Sequence, residues 1–258
     1  MEYISLIGRY SLNFLAVLGS AVIFSFHAIV GIFIPPYYLK QVVDNLLEIG
    51  FYSLPVVGMT AIFTGAVLVL QSYVGFSRFS AEGSIPNVVV LSITRELGPV
   101  LAGLMVAGRV GAAMAAEIAT MKVTEQIDAL SSLAVNPIKY LVSPRVIACV
   151  ITLPCLVVVA DIIGIFGGYM VATEKLGFNK AIYLKNTMNF LEFIDVFSGL
   201  VKAAIFGLII ALTGCYNGYN ASKGAAGVGA ATTNAVVSAS VLILIFNYIT
   251  TELFFSTN

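Results

Sequence analysis

Six charged side chains stand inside runs of apolar residues, and these are the places where this sequence could do chemistry. Arg95, Glu96, Arg109 and Glu117 lie within ITRELGPVLAGLMVAGRVGAAMAAEI, while Asp161 and Lys202 each interrupt a separate apolar stretch. A charge carried into a bilayer costs roughly 2.5–3.5 kcal/mol near a helix centre, so it marks an internal ion pair or a functional site. Arg95 and Glu96 are neighbours and point about 100° apart on a helix, which turns them away from each other. Their partners must come from elsewhere. Lys202 supplies one for Glu96, because both lie near the same end of their helices if the chain crosses the membrane five times. Two readings stay open for Arg95, Glu96 and Lys202: a polar rim to a cavity that takes an amphiphilic substrate, or long side chains reaching the headgroup layer from a helix end. Arg109 and Glu117 read as structural charges at the opposite end.

Enzymatic chemistry has little to work with. There is no GxxxxGK[ST] phosphate loop, since Lys223 sits in ASKGAAG and Lys202 in GLVKAAI, so ATP hydrolysis by that route is excluded. HExxH is absent, and one histidine, His27, cannot build a zinc site; it reads as a hydrogen-bonded interface residue. Cys149, Cys155 and Cys215 have neither metal-ligand spacing nor an even count, and read as small residues of a membrane core. An intramembrane serine hydrolase would need a base beside its serine, and His27 lies in the stretch least certain to cross.

The elements that must hold these charges are membrane helices. Of 258 residues 59% are hydrophobic and 10% charged, against roughly 25% charged in a soluble domain, and the mean hydropathy is +1.00. This is an all-α integral membrane protein. Thirteen basic and thirteen acidic residues cancel, which leaves no basic footprint for nucleic acid. Spans are expected at about 50–75, 88–119, 147–173, 197–216 and 235–255, with a long polar connector from Glu174 to Asp195 and a glycine- and alanine-rich one, NGYNASKGAAGVGAATTN. Gly103, Ala107, Gly111 and Ala115 recur every fourth residue, as do Gly199, Ala203, Gly207 and Ala211. Such smooth ridges let a second helix approach closely in lipid, and Gly164 with Gly168 makes a GxxxG pair of the same kind. No internal repeat of the secondary-transporter type is evident.

Two segments are less plain. Tyr10 to Leu39 is free of formal charge and long enough to span, yet Asn13, Ser20, Ser25, His27 and the Pro35-Pro36 break allow an in-plane elbow equally well. Thr120 to Asn136 is short and amphipathic, with Ile127, Leu130 and Ala134 on one face and Glu125, Gln126 and Asp128 among its polar residues. It either lies on the membrane or docks a soluble partner. If this segment is cytoplasmic, that side collects Arg9, Lys40, Lys122, Lys139, Arg145 and Lys223 against Arg78, Lys175, Lys180 and Lys185 opposite, a weak vote for that orientation.

The run TRELGPVLAGLMVAGRVGAAMAAEIATMKVTEQIDALSSLAVNPIKYLVSPRVIA strongly resembles the MlaE family of ABC transporter permeases, which work with MCE-domain lipid-binding proteins. LPCLVVVADIIGIFGGYMV, Val201-Lys202 and CYNGYNASKGAAGVGAATTNAVVSAS extend the similarity over nearly everything after residue 50. The resemblance implies a homodimeric inner-membrane permease with five transmembrane helices (residues 50–258) preceded by N-terminal in-plane elbow helices (1–49). It implies that Thr120 to Asn136 is the coupling helix, with Glu125, Gln126 and Asp128 facing an ABC ATPase subunit. It further implies phospholipid or related lipid as cargo, a periplasmic MCE-domain protein and often a STAS-domain protein as partners, and no cofactor on this chain, ATP and Mg being held by the ATPase. The substrate cavity then falls to Arg95, Glu96 and Lys202, and close helix packing to Gly103, Ala107, Gly111, Gly199 and Gly207. The competing readings are an autonomous channel or ion-coupled carrier using Arg95, Glu96, Asp161 and Lys202, and the intramembrane hydrolase.

Overall fold

The computed structural model describes residues 2–256, with side chains described at residue 12 and from residue 15 onward. The side chains of Arg9 and Asn13 lie outside the described residues. Helices make up the fold, and no strand occurs among the described residues. They are α1 (Glu2–Phe33), α2 (Leu39–Gly50), α3 (Leu54–Phe76), α4 (Ile85–Ser92), α5 (Gly98–Val106), α6 (Ala112–Val123), α7 (Gln126–Ser132), α8 (Ser143–Glu174), α9 (Lys180–Phe190), α10 (Phe193–Tyr219) and α11 (Ala225–Phe255). Helices α4, α5 and α6 form one rod, joined by two wide turns at Ile93–Leu97 and Ala107–Gly111, and a third wide turn, Ile138–Val142, leads into α8. Among the described residues, six helical stretches are long and apolar enough to cross a membrane: Leu15–Phe33, Leu39–Phe79, Glu82–Val123, Ile138–Glu174, Phe193–Tyr219 and Ala225–Phe255.

Both small-residue ridges are consumed inside the chain. A side chain on Gly207 would put its Cβ 2.5 Å from the backbone oxygen of Cys149, and one on Gly199 would sit 2.5 Å from that of Thr94. Gly214 and Gly218 press in the same way on the backbone of Gly111 and Ala115. The ridge on the central rod thus meets α10, and the ridge on α10 meets both the rod and α8. The GxxxG pair serves α3: a Cβ on Gly65 would overlap the Gly164 oxygen at 1.8 Å. Close backbone approach of this kind is what binds helices in lipid, where no hydrophobic drive holds them together. Cys149 and Cys215 are buried as expected, but Cys155 is exposed, so the core reading fails for that residue.

Several sequence boundaries move. Helix α10 starts at Phe193, so Asp195 belongs to its first turn and not to the connector, and that connector itself contains α9. The amphipathic segment is shorter than 120–136, because the rod continues to Val123 before a left-handed Glu125 turns the chain into α7. The glycine- and alanine-rich connector becomes helix from Ala225 onward: Gly227, Ala231, Ala235 and Ala239 are buried one turn apart. Small residues there serve contact, not looseness.

The two N-terminal helices sit differently. Helix α2 runs beside α8 in the same direction, with the rings of Tyr38 and Tyr140 4.9 Å apart at one end and Gly50 against Thr152 at the other. Helix α1 crosses helix ends. Ser20 hydrogen bonds Tyr216, Phe24 packs on Tyr216 and Tyr219, the Ser143 hydroxyl donates to the Ala28 oxygen at 2.8 Å, and Gly31 faces Lys139 and Ser143. Since Gly207 lies opposite Cys149 on antiparallel helices, Tyr216 and residues 139–143 share one level of the bundle.

Candidate functional site

The main polar cluster grows out of the first wide turn. Pro99 has no N–H, so the Arg95 carbonyl loses its helical donor, and Gly98 bonds five residues back to Ile93 instead. The freed Arg95 oxygen accepts from the Lys202 ammonium at 2.8 Å. Lys202 also donates to Glu96 Oε1 and to Thr251 Oγ1, each at 2.8 Å, so all three ammonium hydrogens are used. Glu96 Oε2 accepts from Asn247 Nδ2 at 2.8 Å, and the Thr251 hydroxyl donates to Oε1. The widened turn, α10 and α11 therefore converge on one carboxylate. Gly199 lets them meet by bringing α10 against Thr94.

Arg95 leaves the turn on another side. Its Nε donates to Asp195 Oδ1 at 2.6 Å, and its guanidinium lies 4.2 Å from the centre of the Phe255 ring. Asp195 Oδ2 accepts from the Glu192 backbone while the Glu192 side chain caps the same helix, so the carboxylate is fixed by its own first turn. The cluster has a closed and an open half: Lys202 and Asp195 side chains are 0% exposed, Arg95 30% and Glu96 35%. Lys202 lies within the helix packing and not on a surface, and the accessible cation is Arg95.

The other sequence-selected charges fall elsewhere. Glu117 pairs with buried Arg145 at 2.8 Å. Arg109, on the second wide turn, donates to Ser53 Oγ at 2.8 Å and to the Glu48 oxygen at 3.3 Å. Asp161 is buried against Gly98, where a Cβ would overlap its Oδ1 at 1.9 Å, and makes no ion pair among the described residues. It does not join Arg95, Glu96 and Lys202 as the carrier reading required. At the far end of the rod Glu125, Gln126 and Asp128 are exposed on α7, whose Ile127 is buried and whose Leu130 packs on the core.

Sequence reasoning brought Glu96 to Lys202 and missed Asp195, Asn247 and Thr251. Asp195 carried a signal, the Glu192-x-x-Asp195 spacing of a capping box. Asn247 and Thr251 carried none, being polar residues of a kind common in membrane helices.

The sequence of this chain matches known proteins over its whole bundle. A model of the MlaE permease family matches residues 42–253, from within α2 to the last turns of α11. A probable ABC transporter permease of Rickettsia conorii is 64% identical over 249 residues, 96% of each chain. A second, of Synechocystis, is 42% identical over 216 residues, 84% of this chain and 82% of the other. The intermembrane phospholipid transport system permease protein MlaE of Haemophilus influenzae is 35% identical over 259 residues, 99% of this chain and 98% of that one. A multi-pass bundle built around charged wide turns and matched end to end by these permeases belongs to the MlaE family of ABC transporter permeases.

Proposed function

We propose that this chain is the membrane subunit of an inner-membrane phospholipid transporter, driven by a separate ABC ATPase and acting as a two-fold dimer with an MCE-domain lipid-binding protein on the far side. The observation that carries the reading is the half-open cluster: Arg95 and Glu96 stay partly accessible, while Lys202 and Asp195 hold them from behind. A phosphate headgroup can meet Arg95 at the end of the bundle opposite α7, and the apolar helix faces accept acyl chains. The relative from Haemophilus influenzae, named for phospholipid transport, supports the cargo.

In this reading α7 faces the cytoplasm, and its exposed Glu125, Gln126 and Asp128 meet the ATPase. Helix α1 lies in the membrane plane. Its contact stretch from Ser20 to Gly31 is about 16 Å long, yet its partners all sit at one level, whereas a crossing helix would climb along α8 and α10 by that distance. The bundle then has five crossings, with α1 as the elbow and α2, which runs along α8, leading into the first crossing.

Reconstitution tests the reading. The chain alone in liposomes should show no ATP turnover, and together with its ATPase it should show turnover stimulated by phospholipid and lipid exchange with an MCE-domain acceptor. Robust hydrolysis by the chain alone, or ATP-independent ion flux in its place, would sink it in favour of an autonomous enzyme or carrier.

A further inference from the structure

A second polar region lies at the α7 end, between α2, α6 and α8, away from Glu96 and Lys202. A cleft of about 300 Å3 carries Asp44, Glu48, Glu117 and Arg145, and a narrow cavity of about 70 Å3 continues from it to Arg109. The two share Asn45, Glu48, Glu117 and Arg145, so they form one groove. From Met121 to Arg109 it follows twelve residues of the rod, about 18 Å. That depth carries it from the bundle end well into the apolar zone.

The basic side chains within the helix bundle are unequally matched. Of Arg95, Arg109, Arg145 and Lys202, three reach a carboxylate: Arg95 meets Asp195, Arg145 meets Glu117 and Lys202 meets Glu96. Arg109 reaches none among the described residues. Its Nη1 is used by Ser53 and the Glu48 backbone, while Nε and Nη2 meet no acceptor among the described residues. A guanidinium presents five donors in a planar fork suited to phosphate oxygens, and Arg109, whose guanidinium also lies 6.0 Å from the centre of the Tyr52 ring, is among the residues that line this cavity. On the same wall Asp44 and Glu48 are exposed carboxylates without an ion pair among the described residues. One free cation deep in the groove and two free anions nearer its mouth are the complement of a phosphate joined to an ammonium.

The outer face of α2 supplies the apolar half. Val43 and Leu47 are exposed beside the groove, on the same helix as Asp44 and Glu48. A free phosphate dianion would meet Asp44 and Glu48 as like charges, whereas a zwitterionic phosphodiester turns both carboxylates into partners. The geometry points to the groove between α2, α6 and α8 as a second lipid site, which takes a zwitterionic phospholipid headgroup with its phosphate on Arg109 and its ammonium on Glu48 and Asp44. This rests on the reading of the chain as a lipid permease and adds a loading position at the α7 end of the bundle.

The test uses the full chain in vesicles of phosphatidylglycerol containing phosphatidylethanolamine with a photoactivatable group next to the headgroup, and crosslinked peptides are mapped by mass spectrometry. Labelling is expected within residues 39–53 and 109–121. Arg109→Gln should lower it about tenfold, a loss of one decade in affinity, while Arg109→Lys retains most of it. Glu48→Gln with Asp44→Asn should lower labelling by phosphatidylethanolamine and leave labelling by an equivalent phosphatidylglycerol probe. Each variant is checked for an unchanged melting temperature, and the carboxylate pair keeps the test open if Arg109→Gln does not fold. Groove labelling unaffected by either change, or displaced by inorganic phosphate, would overturn the proposal. Labelling around Arg95 reports separately: its absence with the groove still labelled counts against the proposed function and leaves the groove site standing.

Discussion

At the scale of single residues the cluster behaves as one hydrogen-bonded unit, and its members are not equally removable. Lys202 satisfies three acceptors inside the packing, so Lys202→Ala leaves the Arg95 oxygen without a donor and Glu96 without its cation. An unsatisfied buried polar group costs about 1–3 kcal/mol, and the variant should melt earlier in detergent. Glu96→Gln is the milder probe, because its amide keeps an oxygen for Lys202 and Thr251. Asn247 can turn its Oδ1, which lacks a partner among the described residues, toward the new donor. Glu96→Gln should therefore fold with a melting temperature near wild type and lose lipid transport in the reconstituted complex. A full-rate Glu96→Gln variant would show that the carboxylate only braces the helices.

Elements are held by where their glycines sit, and the penalty for filling each position depends on what stands opposite. Gly207 faces the backbone of α8 at 2.5 Å, which cannot give way, whereas Gly103 faces the Phe206 ring at 3.3 Å. Gly207→Ala should cost about 1–3 kcal/mol by overpacking, and Gly103→Ala less, as read by thermal unfolding of both variants. Equal losses would mean that the ridges are not what sets the spacing of α10. Helix α7 is short and anchored by Ile127, with Leu133 74% exposed just beyond it. Reversing charge at Glu125 and Asp128 disturbs only its exposed side. Glu125→Lys with Asp128→Lys should insert normally but no longer copurify with the ATPase, since rim charges set partner attraction. Unchanged copurification and transport would remove α7 from the interface.

On the scale of the whole molecule, the consumption of both ridges within one chain changes where a dimer can form. Both ridges pack against helices of the same chain. A two-fold dimer, the commonest closed symmetry, must use outer faces such as those with Val237, Val241 and Leu244 on α11 or Val56, Met59 and Phe63 on α3. Gly207→Leu should thus lower the melting temperature of the protomer, while native mass spectrometry of the surviving folded fraction still finds dimer. A well-folded Gly207→Leu monomer would place that ridge at the interface after all.

Composition and periodicity were sufficient for an all-helical membrane protein, for five of its apolar stretches and for the glycine ridges, because lipid demands long apolar helices and close packing demands small side chains. The same reasoning reached the Glu96 to Lys202 pairing, since a buried charge must find an opposite one and few were available. Tertiary structure decided the rest. Arg95 pairs with Asp195 only because α10 begins four residues earlier than hydropathy suggests. Asn247 and Thr251 enter the site only because α11 passes the first wide turn, and the glycine- and alanine-rich connector is helix because the bundle offers its small residues a surface. The contacts of α1 with Tyr216, Tyr219 and Ser143 were likewise beyond the sequence, because an apolar helix of that length satisfies a bilayer whether it crosses or lies along it.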